Sequence, residues 1–313
     1  MKRTSLLHEL DELREVAGPV ALAIGVFDGV HLGHREVVRA AVEHARQHQG
    51  TAVALTFDPH PKALLHPDGA PLRLTSIAHQ RVLLAELGVE HLLVCPFTEE
   101  FAATSADVFV RRLVRACRPL GCVSVGFGWT FGRGRSGNVH QLMDAGGRDD
   151  FAVYGVPAVK LDGRVVSSTW VREAVAAGDL AMTHRLLGRP YSLLGEVVAG
   201  RRLGRELGFP TANLQLQQTQ FPPTGVYACE ARVAGPWMPA VCNLGRRPTV
   251  ESDGSLTLEA HLLDWQGDLY GSEMEVRLLH HLRGEMKFDG LPALQARIQQ
   301  DRDEARQWLS QRS

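Results

Sequence analysis

The feature that most constrains this chain is a change in its hydrophobic period near residues 184–191. Before that point, short apolar runs alternate with stretches of helical spacing. After it, apolar and polar residues alternate one by one. A strand–helix–strand rhythm calls for a parallel sheet covered by helices, whereas a period of two calls for half-buried antiparallel strands. One core cannot serve both patterns, so two domains are expected, 1–184 and 185–313.

In the first half, residues 20–26 (VALAIGV) and 51–57 (TAVALTF) read as buried strands, with 91–95 and 121–125 as further candidates. Val37, Val38, Ala41 and Ala45 share one helical face. Phe109, Leu113 and Ala116 share another, preceded by the capping-box pattern Thr104-x-x-Asp107. The expected architecture is a doubly wound α/β domain, whose ligands bind beyond the carboxyl ends of the strands.

In the second half, Tyr227, Cys229, Ala231 and Val233 form one alternating set. Leu258, Ala260 and Leu262 form a second, with Glu259 and His261 opposite. Met274, Val276 and Leu278 form a third, against Glu275 and Arg277. Turn signals at Pro222-Pro223, Gly235-Pro236 and Asp253-Gly254 separate these runs, which suggests a small antiparallel barrel. Leu291, Leu294, Ile298, Ala305, Trp308 and Leu309 then mark a terminal helix.

Composition removes several function classes. A net charge of −1 gives no basic footprint for nucleic acid. Glu9, Asp11, Glu12 and Glu15 occupy the place of a secretory apolar core, and no apolar run is long enough to span a membrane, so a cytoplasmic protein is expected. The five cysteines form no C-x-x-C pair and are odd in number, which favours buried thiols over a disulfide framework or zinc.

Three clusters carry chemistry. The first, Gly25-Val26-Phe27-Asp28-Gly29-Val30-His31-Leu32-Gly33-His34, joins an apolar strand to a helix. His31 and His34, three apart at a helix start, can face one point together with the free N–H groups of that helix. That arrangement suits a phosphate gaining negative charge as it is attacked. The second, Ser167-Ser168-Thr169-Trp170-Val171-Arg172, offers hydroxyls and N–H groups for terminal phosphates, with Arg172 to neutralise a departing pyrophosphate. An ordinary Ser/Thr helix cap is its plainer reading. The third runs from Gly200 through Gly204, Arg205 and Gly208 to Pro210, a glycine-punctuated basic loop suited to covering phosphates. It leads into Thr211 and Asn213, whose neutral oxygens could hold a Mg²⁺. Glu259, on the polar face of its strand, is placed to reach into a barrel mouth as a base. A solvent-exposed strand glutamate is the usual fate of such a residue.

The first two clusters resemble the H-x-G-H and S-S-T-x-x-R signatures of nucleotidyltransferases. With Thr56-Phe57-Asp58-Pro59-His60-Pro61 they are similar to the adenylyltransferase half of the bacterial bifunctional riboflavin kinase/FAD synthetase family. The second half carries an ordered string that resembles riboflavin kinase. It comprises Leu207-Gly-Phe-Pro-Thr-Ala-Asn-Leu214, Gly225-Val-Tyr-Ala228, Asn243-Leu-Gly-Arg-Arg-Pro-Thr249, Glu259-Ala-His-Leu-Leu-Asp264 and Asp268-Leu-Tyr-Gly271.

This resemblance implies two reactions, riboflavin plus ATP to FMN and FMN plus ATP to FAD. It makes Glu259 the general base and Thr211 and Asn213 the ligands of Mg²⁺ accompanying ATP. His31, His34 and Arg172 serve adenylyl transfer. Gly25, Phe27, Asp28, Gly29, Ser167, Ser168, Thr169, Gly200, Gly204, Arg205, Gly208 and Asn243 fall on the nucleotide side, and Asp58, His60, Phe131 and Asn138 on the flavin side.

One departure stands out. Family members have Asp or Asn where this chain has Gly128, and glycine cannot hydrogen-bond substrate through a side chain. A kinase with a silent adenylyltransferase half, and a non-catalytic flavin-sensing protein, are the competing readings.

Overall fold

A computed structural model describes residues 1, 3–199, 209–246, 256–265 and 267–312. The chain packs as two compact units, one of Lys2–Leu72 with Ile77–Ser168, the other of Arg73–Ser76 with Thr169–Ser313.

In the first unit the strands are β1 (Ser5–Leu7), β2 (Val20–Ile24), β3 (Thr51–Asp58), β4 (His91–Pro96) and β5 (Leu120–Gly126). The short β6 (Thr130–Phe131) and β7 (Gly137–Asn138) follow, then β8 (Ala152–Val156), β9 (Lys160–Leu161) and β10 (Arg164–Val165). Among the described residues a parallel sheet runs in the order β1-β4-β3-β2-β5-β8. The helices are α1 (Leu32–Gln47), α2 (Pro61–Leu65), α3 (Ile77–Glu86), α4 (Glu99–Ala102), α5 (Ala106–Ala116) and α6 (Val139–Asp149).

Alternate strand residues separate two cores. Val20, Leu22, Ile24, Val53 and Leu55 pack with Phe109 and Leu113 of α5 and Leu142 of α6. The intervening Ala21, Ala23, Ala52 and Ala54 pack with Val38 and Ala41 of α1 and Leu84 of α3. Small residues on that face let α1 lie close to the sheet. From β2 the chain winds outward through β3 to β4, then crosses to β5 on the other side of β2. The strand order therefore reverses at the carboxyl ends of β2 and β5, where a doubly wound sheet opens its crevice.

The doubly wound expectation thus holds, with two local differences. The helix cap at α5 is Ser105, not Thr104. Ser105 accepts from the Val108 N–H at 3.4 Å, while the Thr104 hydroxyl is spent on the Glu100 carbonyl. The edge strand β8, half-exposed throughout, has too weak an apolar pattern to be read from the sequence.

The boundary falls after the first residue of α7 (Ser168–Ala176), and the second unit continues with α8 (Leu180–Leu187), ended by Gly188 in the left-handed conformation. Then come β11 (Tyr191–Val198), β12 (Ala212–Leu216), β13 (Gly225–Arg232), β14 (Met238–Arg246), β15 (Leu256–Leu262), β16 (Glu273–Arg283) and α9 (Leu291–Ser310). The strands close an antiparallel barrel in the order β11-β12-β15-β14-β13-β16. The segment Arg73–Ser76 belongs here as well. The Arg73 carbonyl accepts from the N–H groups of Thr219 and Gln220, and the Tyr191 hydroxyl bonds the Leu74 carbonyl at 3.2 Å.

Leu214, Leu258, Leu244 and Cys242 fill the barrel, so Val226, Ala228 and Val241 face outward, where α9 packs on them through Ala305 and Trp308. Glu275 alternates with the interior Met274 and Val276, yet it does not face solvent. It is 1% exposed because the Arg232 guanidinium bonds it twice, at 2.7 and 3.0 Å, and Arg232 itself lies against Trp237. All five cysteines are free and buried, as expected, and burial pushes the thiols of Cys95, Cys117 and Cys122 up to about 12. Removing Arg232 takes two hydrogen bonds from a buried carboxylate. Arg232→Ala is therefore expected to cost on the order of 3 kcal/mol in chemical denaturation, with Glu275→Gln costing less.

Candidate active sites in the two units

In the first unit the chain leaves β2 through a strained turn. Phe27 and Val30 have φ of 52° and 43°, and Gly29 lies between them at 82°. A valine there is a backbone outlier, of the kind that clusters at functional sites. Phe27 is fully buried and anchors the turn, and a Cβ on Gly25 would meet its ring at 3.1 Å. The Val26 carbonyl accepts from the Thr56 hydroxyl and the Gln80 amide, and the Asp28 carbonyl from the Ser168 hydroxyl at 2.9 Å. The Phe27 side chain is thus a core plug, and what it can offer a nucleotide is backbone. Asp28, 3% exposed, is similarly withdrawn.

The turn delivers His31 as the cap of α1. Its Nδ1 accepts from the His34 N–H at 3.3 Å, which places the proton of the neutral ring on Nε2. The His34 ring stacks on it at 3.6 Å, so the structure brings together the two imidazoles that the spacing predicts. Gly33 makes this fit possible, since a Cβ there would lie 3.2 Å from the His31 ring.

Beyond the carboxyl ends of β2, β3 and β5 opens a cavity of about 520 Å³, walled by Phe57, Phe97, Phe101, Phe109, Trp129 and Phe131. Trp129 and Phe131 stack at 4.6 Å, and His60, Lys62 and Arg135 supply the polar rim. A slot of aromatic faces with a cationic edge suits a flat aromatic ligand carrying a phosphate. Phe131 and His60 lie here as expected, His60 also capping α2 through Nδ1. Asp58 and Asn138 are not among the lining residues. Asn138 spends its side-chain oxygen capping α6, bonding the Gln141 N–H at 3.1 Å.

Sequence reasoning missed Phe97, Phe101 and Lys62, although an aromatic residue close behind several apolar strand ends was a signal. Gly128 lies in an exposed turn beside Trp129 with nothing within 4 Å of a would-be Cβ.

Ser167 immediately precedes α7, and Ser168 opens the helix. Thr169 is exposed in its first turn and Arg172 is half-buried further on, both in the second unit.

In the barrel, β12 and β14 flank β15, and the register sets Asn213 opposite Glu259 and Asn243 opposite Glu259 from the other side. Cross-strand Cβ atoms in such pairs are about 5 Å apart. Because Leu258, Ala260 and Leu262 point inward, this polar row lies on the outer wall. Glu259 therefore does not reach into the barrel mouth, as the sequence had suggested. It lies in a cavity of about 270 Å³ shared with Thr211, Asn243, Met286 and Phe288 and with Leu294 and Ile298 of α9. The cavity floor is Asp301, 3% exposed and gripped by Arg283 at 2.6 Å and Arg297 at 2.8 Å. A second cavity, about 450 Å³, is lined by Thr211, Trp265, Asp268 and Tyr270.

Thr211 touches both cavities, which puts a hydroxyl between a mixed polar and aromatic pocket and a carboxylate-bearing one. Asn213, 8% exposed, lines neither of these two cavities; its amide oxygen and the Thr211 hydroxyl are neutral donors of the kind that suits Mg²⁺, a hard cation that must keep its charge for phosphates. Gly200, Gly204, Arg205 and Gly208 lie outside the described residues.

The pairing of a nucleotidyltransferase-like α/β unit with a closed barrel that sets a carboxylate beside neutral oxygen donors defines a two-module, nucleotide-using transferase. A family model described as FAD synthetase matches residues 13–170 and one described as riboflavin kinase matches residues 187–309. The bifunctional riboflavin kinase/FMN adenylyltransferase of Pseudomonas fluorescens is 38% identical over 296 residues, 95% of each chain. That of Escherichia coli K12 is 38% identical over 310 residues, 99% of this chain and 98% of its own. That of Bacillus subtilis is 32% identical over 315 residues, 99% of both. The chain belongs to the bifunctional riboflavin kinase/FMN adenylyltransferase family.

A crystal structure described as a macrolide-efflux protein from Streptococcus pneumoniae also superposes, with a TM-score of 0.79 at 30% identity, covering 97% of this chain and 99% of that one. Efflux is said of that protein. Among the described residues here, no helix is long and apolar enough to cross a membrane.

A methyl group at position 33 would push the His31 ring off its cap. Gly33→Ala is expected to lower the stability of the first unit by about 1 kcal/mol, read as a shift in its denaturation midpoint.

Proposed function

We propose that this protein converts riboflavin to FMN with ATP in the barrel unit and FMN to FAD with a second ATP in the α/β unit, the functional halves being 1–184 and 185–313. The observation that carries the reading is the direct cross-strand placement of Glu259 between Asn213 and Asn243, in a cavity shared with Thr211.

In the kinase step the Glu259 carboxylate takes the proton of the ribityl 5′-hydroxyl. The oxygen then bonds the γ-phosphorus, and the bond to the ADP oxygen breaks. Thr211 and Asn213 would hold the Mg²⁺ accompanying ATP, which supplies charge neutralisation on the phosphates. Met286, Phe288 and the apolar face of α9 would cover the flavin, with Asn243 and the glycines and Arg205 of residues 200–208 on the nucleotide side. Positioning and neutralisation supply most of the barrier reduction in such a transfer.

In the adenylyl step an FMN phosphate oxygen bonds the α-phosphorus of ATP, and pyrophosphate leaves. His31 and His34 steady the charge that develops, while Ser167 and Ser168 take the leaving group. The backbone of residues 25–29 faces the nucleotide, and the aromatic cavity holds the flavin between Trp129, Phe131 and their neighbours. Gly128 does not favour the kinase-only reading, since both family models match and its turn leaves open space in which no other group is lost. Working on soluble metabolites, the protein would act in the cytoplasm.

Incubation of the protein with riboflavin, ATP and Mg²⁺, followed by chromatography, should yield FMN and then FAD. Absence of FMN ends the reading, and FMN without FAD ends its second half. Glu259→Gln should lower FMN formation by about 100-fold or more with riboflavin binding retained. His34→Ala should abolish FAD formation and leave the kinase rate in place. Unchanged rates would remove the corresponding residue from the mechanism.

A further inference from the structure

We infer that His261 is a positioning residue of the kinase site, stitching the nucleotide-side strand to the base-bearing strand beyond the point where their ladder ends. The inference rests on the kinase reading above and deepens it.

The β12·β15 ladder pairs Leu214 with Leu258, Asn213 with Glu259 and Ala212 with Ala260, and stops there. Thr211, the next residue outward and a proposed metal donor, has no backbone rung. Opposite it stands His261, whose Nδ1 lies 2.8 Å from the Pro210 carbonyl oxygen. A carbonyl only accepts, so Nδ1 carries the proton and donates it. This side-chain bond replaces the missing rung one residue past the ladder. The ring also meets the Phe209 ring edge-on at 5.9 Å, so Phe209 and Pro210 are both held against β15.

The imidazole is well suited to that task. It is 8% exposed, and burial lowers its pKa, with Arg302 and Arg306 of α9 adding to the effect against the Pro210 bond. A neutral ring has a single N–H, and here it is committed to Pro210. The buried Nε2 meets no donor among the described residues, so the tautomer is fixed by the Pro210 bond. His261 lies two residues along β15 from Glu259, on the same face, and lines the same cavity as Glu259 and Thr211. Slack at Pro210 therefore becomes slack between the Thr211 hydroxyl and the Glu259 carboxylate. The apolar side of the cavity, formed by Met286, Phe288, Leu294 and Ile298, is anchored separately through Asp301 and is not touched by this bond.

Two variants separate stitching from packing. His261→Phe keeps a ring against Phe209 and removes the donor, and His261→Asn restores a donor on a smaller side chain. In the full-length protein, amide hydrogen exchange of residues 211–213 should quicken about tenfold in His261→Phe, the loss of one hydrogen bond. Half-saturating ATP in the kinase step should rise about tenfold, while half-saturating riboflavin stays within about twofold. FAD formation from supplied FMN should keep its rate, and His261→Asn should recover most of both losses. Unchanged exchange and unchanged ATP saturation in His261→Phe would overturn the inference. So would an equal rise for riboflavin, the mark of general loosening. A wild-type protein that makes no FMN would instead remove the kinase reading, and the exchange measurement would still decide whether His261 holds the strand.

Discussion

The chemistry of the barrel depends on one register. Leu214, Leu258 and Leu244 stand side by side across β12, β15 and β14, and one residue away stand Asn213, Glu259 and Asn243. The leucines fill the interior, and their burial fixes which residues pair. A slip of one residue in β15 would drive the carboxylate into the apolar core and expose Leu258. The polar row is thus held in place by hydrophobic packing that never touches a substrate. Hydrogen bonds between the polar groups are not needed to align them, which leaves their oxygens available.

The α/β unit reaches the same end by other means. It has no ladder at its site, because the chain has just left β2. Position comes instead from a buried anchor, Phe27, which holds the backbone in a left-handed conformation, and from three tethers, Thr56, Gln80 and Ser168, on the carbonyls of the turn. The strain at Phe27 and Val30 persists because the surrounding core over-determines it. What the turn gains is an imidazole that caps a helix start, plus a second imidazole stacked on it.

Much of this was legible in the sequence, for a physical reason. The strands β2, β3, β4 and β5 are buried on both faces, so they read as continuous apolar runs. His31 and His34 were legible because the interaction is local, within one helical turn. Glu259 could be placed on a face, but which way that face pointed depends on barrel closure, a long-range property. The aromatic cavity was harder still, since Phe57, Phe97, Phe101, Phe109, Trp129 and Phe131 come from separate parts of the chain and meet only when the sheet forms. The burial of Glu275 is not a local property, because its partner, Arg232, lies 43 residues away on a neighbouring strand.

The terminal helix shows why an apolar stripe need not be a core contact. Of the residues whose spacing marked α9 as amphipathic, Ala305 is buried, Leu291 is 55% exposed, and Leu294 and Ile298 are half-buried along the cavity. A helix held by hydrophobic burial alone would press Leu294 and Ile298 onto the barrel and close that space. This one is fastened at mid-length by Asp301, clamped between Arg283 at the end of β16 and Arg297 of its own preceding turn, with Ala305 and Trp308 packing farther along. The charged clamp fixes the distance between helix and barrel, and so the apolar residues before it remain a wall for a ligand. That division of labour, with charge setting the gap and hydrophobic residues lining it, explains why a buried ion pair is kept where an apolar contact would have packed more simply.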